Sequence, residues 1–192
     1  MKLNKCLYKG KNKIKLSLVA IVLVIVIIAG GISNVKALTS TDTLINLTNA
    51  SRTSSNLGIL SSNDKLSAAA LAKANDMFAH QYFAHNSPQG KTPWDFIHQA
   101  GYDYIYAGEN LAIGYTDNNE LHNAWMNSPT HRENILNPNY REIGMASVAG
   151  LYQGAQTTIV VQEFGSTNAT APVTAVAAAS QDLGFSIESN KT

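Results

Sequence analysis

Residues 143–165 read IGMASVAGLYQGAQTTIVVQEFG, and this stretch decides the fold class. Two segments inside it, 143–149 and 157–164, are predicted to be strands, and the second is rich in β-branched residues. The residues between them, 150–155, include two glycines, which favour a tight connection. The stretch is therefore predicted to form an antiparallel hairpin near the end of the folded part of the chain.

Helical patterns precede this hairpin. Capping residues and apolar spacing predict five helices, which start near Thr41, Asp64, Thr92, Asp117 and Ser128. Asp42 is the expected cap of the first helix, and Asp64 or Ser67 that of the second. Residues 57–63 are predicted to be a loop and residues 109–113 a third strand. Helices and an antiparallel sheet that are segregated in this way predict an α+β fold.

The first 37 residues have the layout of a secretory signal. A lysine-rich start is followed by an almost entirely apolar run, 16–32, and by Val35-Lys36-Ala37 at the expected cleavage position. An uncleaved membrane anchor is the alternative, because the run approaches the roughly 20 residues that span a bilayer. The protein is therefore expected to be secreted or at the cell surface, or else to be membrane-anchored by residues 16–32.

The net charge of the chain limits the classes of partner, and its cysteine content limits the disulfides that can form. Residues 1–37 hold seven of the 14 basic residues and none of the 13 acidic ones, so the remainder carries a net charge of −6. An acidic exported domain argues against nucleic acid as a partner. The single cysteine, Cys6, lies before the apolar run, so no disulfide is expected in the domain. The domain is predicted over residues 41–165, with a flexible, low-complexity tail over 166–192.

Three phrases carry side chains suited to acid–base chemistry or to metal binding, namely HNSPQG at 85–90, GEN at 108–110 and SPTHRENIL at 128–136. Taken singly, His85, Glu109 and His131 could equally close loops or cap helices. Their separations of 24 and 22 residues match no local metal motif. A serine-hydrolase role for Ser87 or Ser128 is rejected, since each precedes proline and neither lies in a Gly-x-Ser-x-Gly turn.

Taken in their order along the chain, these three phrases resemble the CAP (SCP/PR-1-like) domain of secreted bacterial proteins. The resemblance covers residues 41–165 and includes Leu47-Thr48-Asn49, Arg52, Asp76-Met77, Tyr140–Gly144 and Gln162–Gly165. It implies an α–β–α sandwich with a small antiparallel sheet. It also implies a cleft lined by His85, Glu109, His131 and Asn110, in which the first three are tentative ligands of a divalent cation such as Zn²⁺. No acid stands where many members place a second glutamate, which weakens the case for a metal.

The function expected from the resemblance is non-enzymatic binding of a small ligand, a lipid or a cell-envelope component. A metal-assisted hydrolase acting on peptide or glycan is one alternative. A structural role in an envelope or spore layer is another. Only Glu109 is securely placed as a carboxylate, whereas a glycosidase normally needs two. The membrane is expected as a partner only through an uncleaved N-terminal segment.

Overall fold

The computed structural model describes residues 40–167, so the predicted signal segment and almost all of the predicted tail lie outside it. The helices in this range are α1 (Thr41–Ser54), α2 (Asp64–His80), α3 (Pro93–Gln99), α4 (Asn118–Asn127) and α5 (Pro129–Ile135). The strands are β1 (Ser61–Ser62), β2 (Tyr106–Ile113), β3 (Glu142–Tyr152) and β4 (Ala155–Ser166). None of the helices between residues 40 and 167 combines the length and the apolar composition needed to cross a bilayer.

The four strands form one sheet in the order β1-β3-β4-β2. The predicted hairpin is confirmed, but its strands are longer than expected because the turn takes only two residues. Gln153 and Gly154 both have positive φ, 49° and 83°, which matches the twist of a two-residue hairpin turn. The predicted loop over 57–63 contains β1, which pairs with β3 in parallel, so the sheet is antiparallel except at this short edge.

Both faces of the sheet are covered, which confirms the α–β–α sandwich. Successive side chains of a strand point to opposite faces. On one face, called here the α2 face, Leu111, Ile159 and Val161 pack against α2. On the opposite face, called the α1 face, Ala112, Val160 and Phe164 pack with apolar residues of α1, α4 and α5.

All five helices start near the predicted residues. Two of the N-cap residues, however, lie upstream of the expected ones. Ser40 caps α1 and Asn63 caps α2, rather than Asp42 and Asp64 or Ser67. Asp42 and Asp64 lie inside the first turn, where an acidic side chain is favoured by the helix dipole. The helix start predicted near Thr92 is confirmed, and Thr92 and Asp95 form a capping box there with both of its hydrogen bonds.

A buried arginine fixes two segments of the chain to α1. The Nε of Arg52 donates to the carbonyl of Gly58 at 2.8 Å. Its Nη1 donates to the carbonyls of Ile135 and Asn137 at 2.9 and 2.8 Å. Burial, and then the nearby Arg141, lower the pKa of Arg52 to about 10. One guanidinium therefore ties α1 to the loop before β1 and to the end of α5.

Strand β2 is at the end of the strand order and pairs only with β4 within the described range. Three of its alternate carbonyls accept hydrogen bonds from side chains of the neighbouring helices and loop. Tyr140 Oη donates to Ala107 at 3.0 Å, Asn134 Nδ2 to Glu109 at 3.0 Å, and Trp125 Nε1 to Leu111 at 3.2 Å. The outer edge of β2 is thus covered by side chains, and the candidate site lies along it.

Candidate functional site

His85 lies in the loop after α2, and hydrogen bonds within that loop hold it in place. Gln81 is the residue that caps the C-terminal end of α2. It adopts a left-handed conformation (φ 53°) and turns the chain away from the helix axis. Further on, the backbone N–H of Ser87 donates to the carbonyl of Lys91 at 2.8 Å. The Ser87 Oγ accepts from the backbone N–H of Lys91 at 3.0 Å. Ser87 therefore braces the loop, as a turn residue is expected to do.

Glu109 lies on β2 and shares the α2 face with Leu111. Its Oε1 is 2.6 Å from the Nδ1 of His85. The Glu109 side chain is 1% exposed and that of His85 is 59% exposed, so a buried carboxylate orients a solvent-facing imidazole. The hydrogen bond to Glu109 raises the pKa of His85, and this effect outweighs the opposing effect of burial. The imidazolium is therefore favoured in this contact.

A second carboxyl group lies directly across the sheet from Glu109. Glu163 on β4 is the register partner of Glu109, and its side chain is fully buried on the same face. Both oxygens of Glu163 and the Oε2 of Glu109 lack a partner among the described residues when both groups are treated as acceptors. A proton on one carboxyl pairs two of these three oxygens, because a neutral acid can donate to its neighbour.

The proton belongs on Glu163. Burial first, and then the charge and hydrogen bond of Glu109, raise the pKa of Glu163 well above its ordinary value. Two carboxyl groups in contact cannot both ionise easily, and one shared proton is the usual outcome. In this pair, a neutral Glu163 therefore donates a hydrogen bond to the carboxylate of Glu109.

Lys73 supplies the matching positive charge. It lies on α2, is fully buried, and its Nζ donates to the carbonyl of His85 and, at 3.3 Å, to the Oη of Tyr82. Tyr82 in turn donates to Asp76 at 2.7 Å. Burial lowers the pKa of Lys73, and the nearby Glu109, Glu163 and Asp76 oppose this effect. One buried amine thus holds the His85 loop against the carboxyl pair.

His131 lies on the other side of the edge strand, on α5. Its Nδ1 is 2.7 Å from the Oγ of Ser128, and its backbone carbonyl accepts from Asn110 Nδ2 at 3.2 Å. Burial, and then repulsion from His85, lower the pKa of His131. The Ser128 contact fixes the ring, but no described carboxylate hydrogen-bonds to it, so the orienting acid of a serine-hydrolase triad is lacking here.

Asn110 is a structural member of the site. It is fully buried on the α1 face, where its Nδ2 also donates to Gln162 Oε1 at 3.0 Å. Its Oδ1 accepts from Asn134 Nδ2 at 2.9 Å, and Gln162 Nε2 continues the network to Thr48 at 3.0 Å. Asn110 therefore links β2 to α5 and α1, and no ligand in a neighbouring cavity can reach it without displacing these bonds.

Two cavities of about 290 Å³ each open along β2. The first, called here the His85 cavity, is bounded by side chains of mixed polarity, including His85, Asn86, Trp94, Glu109 and Asn134. The second, called the His131 cavity, is more apolar and is bounded by residues that include Phe83, Leu111, Trp125 and His131. The structure thus brings His85 and Glu109 into contact and gives His131 a cavity of its own.

The three residues do not form one coordination site in this arrangement. Within residues 40–167, no group of three or more His, Cys, Asp or Glu side chains is placed to hold a metal ion. The Nδ1 of His85 is engaged by Glu109, and that of His131 by Ser128. In this arrangement the described side chains present no shared three-ligand site, and the chemistry of the site is derived from their hydrogen bonds and charges.

The sequence analysis missed Glu163 and Lys73, although both left a signal. Glu163 interrupts the apolar, β-branched strand 157–164 on the face that carries Ile159 and Val161. Lys73 falls between Ala70 and Met77 on the apolar stripe of α2. A charged residue in a core-facing position is costly unless it is paired, so two opposite charges on facing elements predict a contact.

Comparisons with known proteins agree with this architecture. The family model for CAP, described as the cysteine-rich secretory protein family, matches residues 45–164. Over 105 residues the chain is 44% identical to the uncharacterized protein YkwD of Bacillus subtilis, and over 107 residues it is 31% identical to the uncharacterized membrane protein YlbC of the same organism. These matches cover 55% and 56% of this chain, but only 41% and 31% of those longer proteins.

Two solved structures share the fold. An extracellular protein with an SCP domain from Bacillus anthracis has a TM-score of 0.56 at 29% identity, over 65% of this chain and 39% of that one. An outer surface protein from Borrelia burgdorferi has a TM-score of 0.58 at 28% identity, over 66% of this chain and 92% of that one.

Proposed function

The chain belongs to the CAP, or cysteine-rich secretory protein, family, and on that premise we propose that it is an exported, non-enzymatic binding protein. Its ligand is a small component of the cell envelope, held in the His85 cavity. Export is supported by the predicted signal segment. It is also supported by relatives that are described as an extracellular protein and as an outer surface protein.

The observation that carries the proposal is the engagement of the site's ionisable groups with one another. Glu163 is fully buried, Glu109 bonds to His85, and Lys73 bonds to Tyr82 and to the His85 carbonyl. Only His85 projects towards solvent. Such a closed network presents a rigid surface for binding, since its members cannot change partners without breaking buried hydrogen bonds.

The second carboxyl group does not convert the site into a glycosidase. Glycosidases place two accessible carboxyl groups about 5–9.5 Å apart, so that a sugar lies between them. Glu109 and Glu163 are instead close enough for a hydrogen bond, and both are buried. A substrate cannot enter between them.

A hydrolase is the second candidate, and one observation favours it. A buried carboxylate bonded to the Nδ1 of an exposed histidine is the geometry that orients a general base. No nucleophile or metal group accompanies His85 within the described range, so a water molecule would have to be the nucleophile. This geometry makes His85 the residue on which a test of the two functions should be centred.

The experiment compares retention with turnover. Immobilised wild-type protein and His85→Ala are incubated with an extract of bacterial cell envelope, and the retained small molecules are identified by mass spectrometry. We expect an unmodified compound to be retained by the wild type and lost from the variant. Products that accumulate with time from cell walls or casein, and that depend on His85, would establish the hydrolase instead.

A further inference from the structure

Trp94 is an exposed aromatic residue on a short helix that buries its other large apolar side chains. Helix α3 buries Pro93, Phe96 and Ile97, whereas Trp94 is 37% exposed and borders the His85 cavity. Its ring centroid is 6.0 Å from that of Tyr104 at an interplanar angle of 49°. The capping box at Thr92 fixes the start of the helix. Trp94 is therefore held in place with part of its ring open to the cavity.

The polar side of the same cavity has hydrogen-bonding capacity left over. Both bonds of Asn134 Nδ2 go to β2, while its Oδ1 receives only a long contact of 3.4 Å from Tyr140. The Nδ1 of His85 is engaged by Glu109, which leaves Nε2 open. The amide of Asn86 has no hydrogen-bond partner in the part of the chain that the structure describes. These groups can meet hydroxyl or amide groups of a ligand.

Few charges around the cavity are left without a partner. The positive Lys73 and the carboxylate of Glu109 offset each other, and Glu163 is neutral. The contact with Glu109 favours the protonated form of His85, and that charge is itself paired with the carboxylate. A multiply charged ligand therefore meets no cluster of opposite charges, and a neutral polar ligand fits better.

We propose that the His85 cavity binds one pyranose ring of a neutral sugar, such as N-acetylglucosamine, stacked on Trp94. This inference rests on the proposed function, because it takes that cavity as the ligand site. A pyranose ring has one face of C–H groups and an equatorial rim of hydroxyls. Trp94 provides a flat apolar surface for the first, and His85, Asn86 and Asn134 bond the second. A cavity of about 290 Å³ takes a single ring.

The test uses the two tryptophans of the chain as internal probe and control. Trp94 borders the cavity, whereas Trp125 is 2% exposed in the core. N-acetylglucosamine, chitotriose and glucose are titrated into the protein while tryptophan emission is recorded. We expect a saturable change with all three sugars in the wild type, since each contains a neutral pyranose ring, and none in Trp94→Phe, which retains Trp125.

Calorimetry on variants then separates stacking from a general loss of structure. Trp94→Ala should weaken chitotriose binding at least tenfold, and Asn134→Ala should weaken it as well. Tyr106→Ala is the matched control, because Tyr106 is comparably exposed and does not border the cavity. It should change the affinity less than twofold. Thermal melting of each variant confirms that the protein remains folded.

The outcomes distinguish the sugar from the binding function itself. Equal chitotriose affinity in wild type and Trp94→Ala, or no saturable binding of any sugar, overturns the sugar assignment. Vesicles of phosphatidylglycerol that bind the wild type but not Trp94→Ala would replace the sugar by a lipid and leave the proposed function intact. If His85→Ala also retains the same envelope compounds as the wild type, both the sugar assignment and the proposed function fall.

Discussion

Glu109 and Glu163 are register partners on adjacent antiparallel strands, and both point into the core beneath α2. Two acidic side chains in such a position would repel each other if both were ionised. Burial and the neighbouring Glu109 hold Glu163 in its neutral form, with its pKa well above the ordinary value. The stability of the domain is therefore linked to the proton on Glu163.

Replacement of Glu163 by glutamine should remove a pH dependence of folding. A carboxyl whose pKa is raised in the folded state stabilises the protein fully below its unfolded pKa, and this contribution is lost as the pH rises through the folded pKa. The wild type should therefore lose stability relative to Glu163→Gln as the pH rises above the ordinary glutamate pKa of about 4.3, by up to about 1.4 kcal/mol per pH unit. Urea unfolding across this range measures the difference.

The control for this prediction is Glu120→Gln, since Glu120 is exposed on α4. Its unfolding curve should follow that of the wild type at each pH. A Glu163→Gln curve that also runs parallel to the wild type would show that Glu163 is ionised in the folded protein.

The histidines should separate in an NMR titration. The pKa of His85 should lie above the ordinary value of about 6.5, because Glu109 accepts its hydrogen bond. The pKa values of His122 and His131 should lie below it, chiefly because both rings are buried. In Glu109→Gln the pKa of His85 should fall while that of His122 stays in place. An unchanged value for His85 would mean that the 2.6 Å contact does not persist in solution.

Lys73 is expected to be the most sensitive polar position. In Lys73→Met the amine that holds the His85 carbonyl is lost, and Glu109 keeps a buried charge without its counter-charge. A loss of about 3–5 kcal/mol in the free energy of unfolding is expected. The exposed Lys65→Met on the same helix should cost less than about 0.5 kcal/mol. Addition of Glu109→Gln to Lys73→Met should recover part of the loss, and a purely additive result would argue against the pairing.

Zinc tests whether His85, Glu109 and His131 converge on a cation. Because the described residues present no group of three metal-ligating side chains, we expect Zn²⁺ at pH 7.5 to leave the melting temperatures of wild type and His131→Ala equally unaffected. A rise that is confined to the wild type, and that fades toward pH 5.5 as imidazoles protonate, would show that the site rearranges around the metal.

Even a conservative replacement of Arg52 is expected to lower the free energy of unfolding. Lysine has one donor group, whereas the guanidinium reaches three carbonyls from fixed directions. Arg52→Lys should therefore leave buried carbonyls unpaired, at a cost of about 2–4 kcal/mol in the free energy of unfolding. Thermal and urea unfolding measure this cost, for which the partly exposed Arg141→Lys is the comparison.

The helices and long strands of the fold followed from local rules, whereas the α–β–α layering was implied by the family resemblance. The capping box at Thr92 and the apolar stripe of α2 act within a few residues, so their patterns are visible in the sequence. The parallel pairing of Ser61 with Glu142 was not predicted, because two exposed serines carry no strand pattern. That contact is made by the position of neighbouring elements and not by the propensity of the serines.

The residues of the candidate site also divide into those that a local sequence pattern indicates and those that it does not. His85, Glu109 and Asn110 could be proposed from short phrases, but the partners of Glu109 come from α2 and β4, 36 residues before it and 54 after it. No spacing rule joins residues that meet through tertiary packing. The two histidines likewise border cavities at successive positions along β2, to which they are brought by a loop and by α5.

The side chains of Tyr140, Asn134 and Trp125 that cover the carbonyls of β2 have a consequence for association. An uncovered edge strand is a template on which another chain can add a strand, and this is a common route to aggregation. Here three of the carbonyls that such a strand would use are already occupied. Addition of a strand at this edge is therefore disfavoured, and loss of these donors is expected to appear first as a tendency to polymerise through β2.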